Sequence, residues 1–252
     1  MWTSCATHGY ITVTGHYITD EWDLKSCILA TRRVEEADAL VSIPMEFEIE
    51  YVCGLTTVNA SNMTVAARAT GFPHVRCFAH TLQLAVHDAL KLNAIDNVII
   101  HARKLVSYFS KSVLATQELE DVQKRLGRMV KHVVNDVTTR WNSVYFMFER
   151  LNELHASIVA VLHDDKFKKP KHLNLKDNQW LLEQLIVALK PLVSATEVLC
   201  SEELPTAAGV YPLVFALVTK HLIPSDLDTR IVADMKTTLA DGLKSRLVTA
   251  DF

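Results

Sequence analysis

Apolar and polar positions alternate only near the start of the chain. The run Tyr10-Ile11-Thr12-Val13-Thr14-Gly15-His16-Tyr17-Ile18 is rich in β-branched and aromatic side chains and predicts a strand. Residues 22–29 read as its hairpin partner, with Thr19-Asp20-Glu21 as the turn. A third run, residues 51–57, is short and apolar, as a strand covered on both faces would be. Between the second and third runs, residues 30–50 are acidic and follow no period.

After Asn59 the period becomes helical. Ser61 or Asn62 is placed to cap a short helix through Ala69, which Gly71-Phe72-Pro73 ends. Val75-Arg76-Cys77-Phe78 is extended and leads into a helix on which Leu82, Leu84, Ala85, Ala89 and Leu90 recur. Further helices are predicted over 95–110, 114–127, 142–162, 178–200, 206–221 and 227–247, joined by linkers at 130–140, 164–176 and 223–225. The helix from Asn142 carries Val144, Phe148, Leu151, Leu154 and Ile158 as one amphipathic stripe. No segment repeats. The pattern divides the chain into an α/β unit over residues 1–90 and an all-helical block over 91–252, a helix-rich α/β protein.

Composition narrows the class without naming it. An apolar fraction of 49% with 22% charged residues is that of a folded globular chain, which excludes disorder and a disulfide scaffold. The net charge of −3 lacks the bulk positive field of a free-standing nucleic-acid binder. Five scattered cysteines (Cys5, Cys27, Cys53, Cys77 and Cys200) form no C-x-x-C pair and fit a reducing compartment. No signal peptide opens the chain, and no apolar run approaches a membrane span. Both ends look like cuts through a longer protein.

Three strings could carry chemistry. In Arg76-Cys77-Phe78-Ala79-His80-Thr81-Leu82-Gln83, Cys77 and His80 stand at C-x-x-H spacing, with His74 three residues earlier. Zinc wants four ligands and no second pair follows, so Cys77 in a core and His80 at a helix start is the favoured reading. In Asp136-Val137-Thr138-Thr139-Arg140-Trp141-Asn142-Ser143, Arg140 could pair with a phosphate and Trp141 could stack on a base. The bland alternative is a packed Trp141 and an Arg140 neutralised by Asp136. The third string, Thr56-Thr57-Val58-Asn59-Ala60-Ser61-Asn62-Met63, joins a strand end to a helix, where many α/β enzymes place a carboxylate. It contains none.

Taken together with Trp2-Thr3-Ser4, TVTGHYI (from Thr12) and ATEVLCSEELPTAAGVYP (from Ala195), these strings resemble the hAT-superfamily transposases and their domesticated relatives, the zinc finger BED domain-containing proteins. The six strings keep the family's order and span nearly the whole chain. The resemblance implies an RNase H-like core, incomplete here, followed by an all-α insertion domain. It also implies descent from an enzyme that cuts and joins DNA with two metal ions on an Asp-Asp-Glu triad.

The departures from the family set the functional expectation. The first Asp of the triad would fall at or before Met1. The second belongs to the family's T-D-N-A-S-N-M string, at the position of Val58. The Glu would follow the insertion domain, beyond the end of this chain. Residues 30–50 look shorter than in relatives, which leaves a deleted core helix or a faulty gene model as readings. The BED zinc finger and the C-terminal dimerisation region are absent. By resemblance, Cys77 and His80 match an element that supports DNA handling, and Arg140 with Trp141 matches one whose Trp stacks on a flipped base.

The expectation is thus a catalytically inactive module with no catalytic residues, no Mg²⁺ site and no zinc. It would serve a nuclear, DNA-binding or transcription-regulating protein as scaffold or interaction domain. Its partners would be DNA in full-length relatives, weakly or not at all for this chain alone, and a second copy through regions not present; no membrane is involved. A truncated version of an active transposase and an incompletely folded fragment are the alternatives.

Overall fold

A computed structural model describes residues 2–3, 9–33, 39–164, 166–167, 173, 175, 178–200 and 206–247 of the chain. These residues group into two units, one formed by Met1–Thr81 with Leu199–Val210 and the other by Leu82–Val198 with Tyr211–Phe252.

The first unit opens with β1 (Trp2–Thr3), β2 (Gly9–Ile18) and β3 (Leu24–Arg33), an antiparallel sheet in that spatial order. Register runs from Tyr10 opposite Arg33 to Ile18 opposite Leu24, with a bulge between Val13 and Thr14. The loop closes through Thr19 N to Asp23 O (3.0 Å) and Trp22 N to Thr19 O (2.9 Å), and Trp22 takes φ +66°. The hairpin partner therefore starts two residues later than its apolar pattern suggests and runs on to Arg33. Its polar end is held from outside, since Arg32 donates to Ser42 Oγ (3.3 Å) and pairs with Glu46.

Helix α1 (Ala39–Glu46) lies in the stretch whose sequence follows no period. Leu40 and Ile43 are one turn apart and buried, and they form the small core of this unit with Ile11 of β2 and Met63. Val13, Leu29, Ala30, Leu55, Ala60 and Ala66 pack around them.

Then come β4 (Leu55–Thr57), α2 (Ser61–Ala69) and β5 (His74–Arg76), and β4 pairs with β5 in parallel. The strand expected over 51–57 is thus only its last three residues. Asn62 Oδ1 accepts from the Met63 amide (2.9 Å), but no side chain caps α2 at Ala60. Helix α2 ends at Thr70, and Gly71 at φ +72° turns the chain into β5, a conformation that glycine adopts without a Cβ penalty.

Helix α3 (Phe78–Leu90) begins in the first unit and continues in the second, so the division falls at 81/82 rather than 90/91. Its later turns pack with the helices: a Cβ on Gly242 would stand 3.2 Å from Ala85 Cβ, and Arg246 Nη2 donates to Asp88 (2.6 Å). Residues 199–210 likewise return to the first unit, where Gly209 lies against Leu199.

The second unit continues with α4 (Asn93–Lys111), α5 (Val113–Arg125), α6 (Trp141–His163) and α7 (Gln179–Leu199). A 3-10 turn at Ala207–Gly209 leads into α8 (Val210–Ala216), which runs into a π turn at Leu217–His221 before α9 (Arg230–Leu247). Each long helix buries one stripe, as the periodicity predicts: Leu105 on α4, Leu119 on α5, Phe148 and Leu151 on α6, Leu185 and Leu189 on α7, Leu239 and Leu243 on α9. The extended segment after α5 is held by Gln123, fully buried, whose Nε2 donates to Lys131 O (3.0 Å) while its Oε1 accepts from Lys131 N (2.9 Å).

Candidate functional site

In a parallel strand pair joined by a helix, side chains at the carboxyl ends of the strands face a common crevice, where such folds bind ligands. Here those positions are Thr57, the last residue of β4, with Val58 after it, and Arg76, the last residue of β5, with Cys77 after it. The ladder extends one step beyond the strands, with Cys77 N donating to Thr57 O (2.9 Å). Val58 is 37% exposed.

Around it lies a polar cluster that the sequence did not suggest. Thr57 is buried, and its hydroxyl donates to Val58 O (3.2 Å) while standing 2.8 Å from His74 Nε2. Burial lowers the His74 pKa, and the charges of Arg76 and Arg68 lower it further. Asn59 Nδ2 donates to Thr81 Oγ1 (2.7 Å), which donates in turn to Cys77 O (2.9 Å). Asn59 Oδ1 is buried and has no partner among the described residues. Among the described residues the set offers hydroxyls, an amide, an imidazole and nearby guanidinium groups, but no carboxylate.

That donor set does not fit a catalytic Mg²⁺ pair. Mg²⁺ requires oxygen ligands, carboxylates above all, and the cations that depress His74 would oppose a divalent ion. Cys77 and His80 bracket the first turn of α3 and are both half-buried, with Cys77 O accepting from Thr81 N (3.0 Å). Among the described residues, no three His, Cys, Asp or Glu side chains converge as a metal site would need.

Arg140 and Trp141 belong to the helical unit. Arg140 is exposed at the N-terminus of α6, and its carbonyl accepts from Ser143 Oγ (2.6 Å). Asp136 does not neutralise it: that carboxylate is bound by Arg103, through Nε (3.1 and 3.0 Å) and Nη2 (2.7 Å). Trp141 is only 4% exposed, and its backbone N–H donates to Gln83 Oε1 on α3 (2.9 Å). Stacking on a base would require the indole to leave the core of its own unit. The signal for this burial was present in the sequence, because positions 141, 144, 145 and 148 share one face of a helix.

Comparison with known proteins agrees with the architecture. The family model for the ZBED1 RNase-like domain matches residues 1–63, and that for the ZBED1 RNase-like helical domain matches residues 75–187. The chain belongs to the hAT-derived, zinc finger BED-type family. Among relatives in that family, human zinc finger BED domain-containing protein 4 is 24% identical over 266 aligned positions, covering 98% of this chain and 22% of the relative. Human zinc finger BED domain-containing protein 6 is 25% identical, covering 99% of this chain and 27% of the relative. The maize Putative AC transposase is 27% identical, covering 84% and 29%. The chain therefore spans about a quarter of the length of these relatives.

Proposed function

We propose that this chain is a catalytically silent module of a hAT-derived, zinc finger BED-type protein, working on DNA in the nucleus as a scaffold or interaction domain. The observation that carries the reading is Val58, an apolar side chain at the strand-end position where the family's transposases place a metal-binding Asp. Valine has no donor atom for Mg²⁺, and two-metal strand transfer depends on ions held beside the attacking and leaving oxygens. The guanidinium groups that act on His74 favour the same reading, because they make the crevice a poor host for a divalent cation.

The nuclear, DNA-directed setting draws its support from kinship with transposases and with the Putative transcriptional regulator tpeD of Talaromyces stipitatus. Among the described residues no helix is long and apolar enough to cross a membrane. A metal-dependent cleavage assay on labelled duplex and hairpin DNA tests the proposal. We expect no cleavage or joining in Mg²⁺ or Mn²⁺. Metal-dependent product that persists through purification and disappears in the Asn59→Ala variant would overturn it.

A further inference from the structure

The helical unit carries a groove of about 590 Å³ along α4. Three cations line it, Arg103, Lys104 and Lys111, together with the hydroxyls of Ser107, Tyr108 and Ser112; among the described residues no carboxylate does. Arg103 is already bound by Asp136, so its charge is spent inside the unit. Lys104 and Lys111 are different. Both are exposed, and neither has an ion-pair partner among the described residues. The Tyr108 hydroxyl is protonated at neutral pH and able to donate.

Residues 104, 107, 108 and 111 lie on one helix face, since positions three, four and seven apart align. At 1.5 Å of rise per residue the two lysines stand about 10 Å apart along the axis. Phosphates of one DNA strand advance about 3.4 Å along the helix axis per step and lie farther apart than that in space, so lysines at this separation can each meet a separate phosphate. Lysines acting as point charges, with hydroxyl donors between them, are the side chains that hold phosphate oxygens without reading bases.

We infer that this groove takes the phosphate backbone of a DNA strand through Lys104 and Lys111, with Ser107 and Tyr108 as hydroxyl donors. The inference rests on the DNA-directed reading above and deepens it by placing the contact surface on α4 rather than at Arg140 and Trp141. It also explains how a chain of net charge −3 could bind a polyanion: the positive field is local. A nucleic acid is favoured over an acidic peptide because the two free lysines flank hydroxyl donors on one exposed helix face, and Leu173 is the single apolar side chain among the described residues that line the groove.

The test is fluorescence anisotropy of a labelled duplex of arbitrary sequence, titrated with the full chain across a salt series. Beside the wild type run two double variants that change charge equally: Lys104→Glu with Lys111→Glu in the groove, and Lys220→Glu with Lys244→Glu elsewhere on the helical unit. The groove variant should lose roughly tenfold or more in affinity at low salt, and its log–log salt slope should fall by about 2. The control pair should stay within about threefold of the wild type. Because both groove lysines are exposed, thermal unfolding followed by circular dichroism should be unchanged. Lys104→Gln with Lys111→Gln should show the same loss at smaller size.

Binding that survives the groove variant would overturn the inference and leave the DNA reading standing. Equal loss in both variants would also overturn it, assigning the effect to bulk charge. If the wild type binds no DNA at the lowest salt, both readings fall. Competition by polyglutamate as effective as by DNA of equal charge would assign the groove to acidic polypeptides instead.

Discussion

Replacing Trp141 by Ala separates a packed indole from one kept for stacking on a base. Trp141 is 4% exposed, and the hydrogen bond to Gln83 comes from its backbone, so the substitution removes packing and leaves that bond in place. A buried Trp hides about 200 Å² of surface, and at roughly 25 cal/mol/Å² this is about 5 kcal/mol. Partial collapse of the site brings the expected loss to about 3–5 kcal/mol, the range found for large aromatic side chains cut back to Ala. Such a loss is a large share of a domain's stability, which is about 5–15 kcal/mol.

The assay is urea unfolding of the full chain, followed by far-ultraviolet circular dichroism. With a slope of about 2 kcal/mol/M, the midpoint should fall by about 2 M with little change in slope. Trp141→Phe keeps most of the apolar volume and should cost about 1–2 kcal/mol. A loss below about 1 kcal/mol for Trp141→Ala would refute the packing argument and return the indole to the role that the family resemblance gives it. DNA binding should then be read on Trp141→Phe, whose fold is intact.

Other substitutions test other joints of the structure. Gln123→Ala strips both partners from the Lys131 peptide group and should cost about 2–3 kcal/mol in the same assay, with faster hydrogen exchange at the Lys131 amide; an unchanged exchange rate would contradict the clamp. Lys236 donates to both oxygens of Asp228 (2.9 and 2.7 Å), which also accepts from Ser225 N (2.7 Å). Burial alone pushes the Asp228 carboxyl up, but these hydrogen bonds and the Lys236 charge hold it below the usual carboxylate range. A depressed folded pKa stabilises above the unfolded value and ceases to do so as pH falls through the folded one. The stability gap between the wild type and Lys236→Met, about 2 kcal/mol at neutral pH, should therefore shrink below about pH 4; a gap constant into acid would refute it.

What the sequence made legible was whatever repeats. The long helices of the second unit announce themselves because a stripe of five or more apolar positions has one periodic explanation, and β2 does so through its β-branched run. Helix α1 was invisible because it buries only Leu40 and Ile43, one turn of signal, and carries Pro44 inside it. The end of β3 was missed because Thr31, Arg32 and Arg33 look like loop, whereas pairing with Thr12, Ile11 and Tyr10 of β2 makes them strand.

At the candidate site, Val58 was noticed through family resemblance and the strand-to-helix pattern together. Its surroundings were not legible: Thr57 meets His74 seventeen residues on, and Asn59 meets Thr81 twenty-two residues on, with no spacing rule to link them. Asp136 was paired on paper with its near neighbour Arg140, whereas the fold gives it Arg103, thirty-three residues back. Proximity in sequence was the wrong guide there, because the segment after α5 runs back along α4.

The claim at the centre of this account is that the crevice at the end of β4 no longer holds a catalytic metal ion. Titrating the full chain with Mn²⁺ and following the free ion by electron paramagnetic resonance addresses that directly, whatever DNA the protein meets. We predict that the signal tracks free Mn²⁺ throughout, with no stoichiometric binding below about millimolar concentration. One ion bound tightly per chain, and released when Asn59 is changed to Ala, would contradict it.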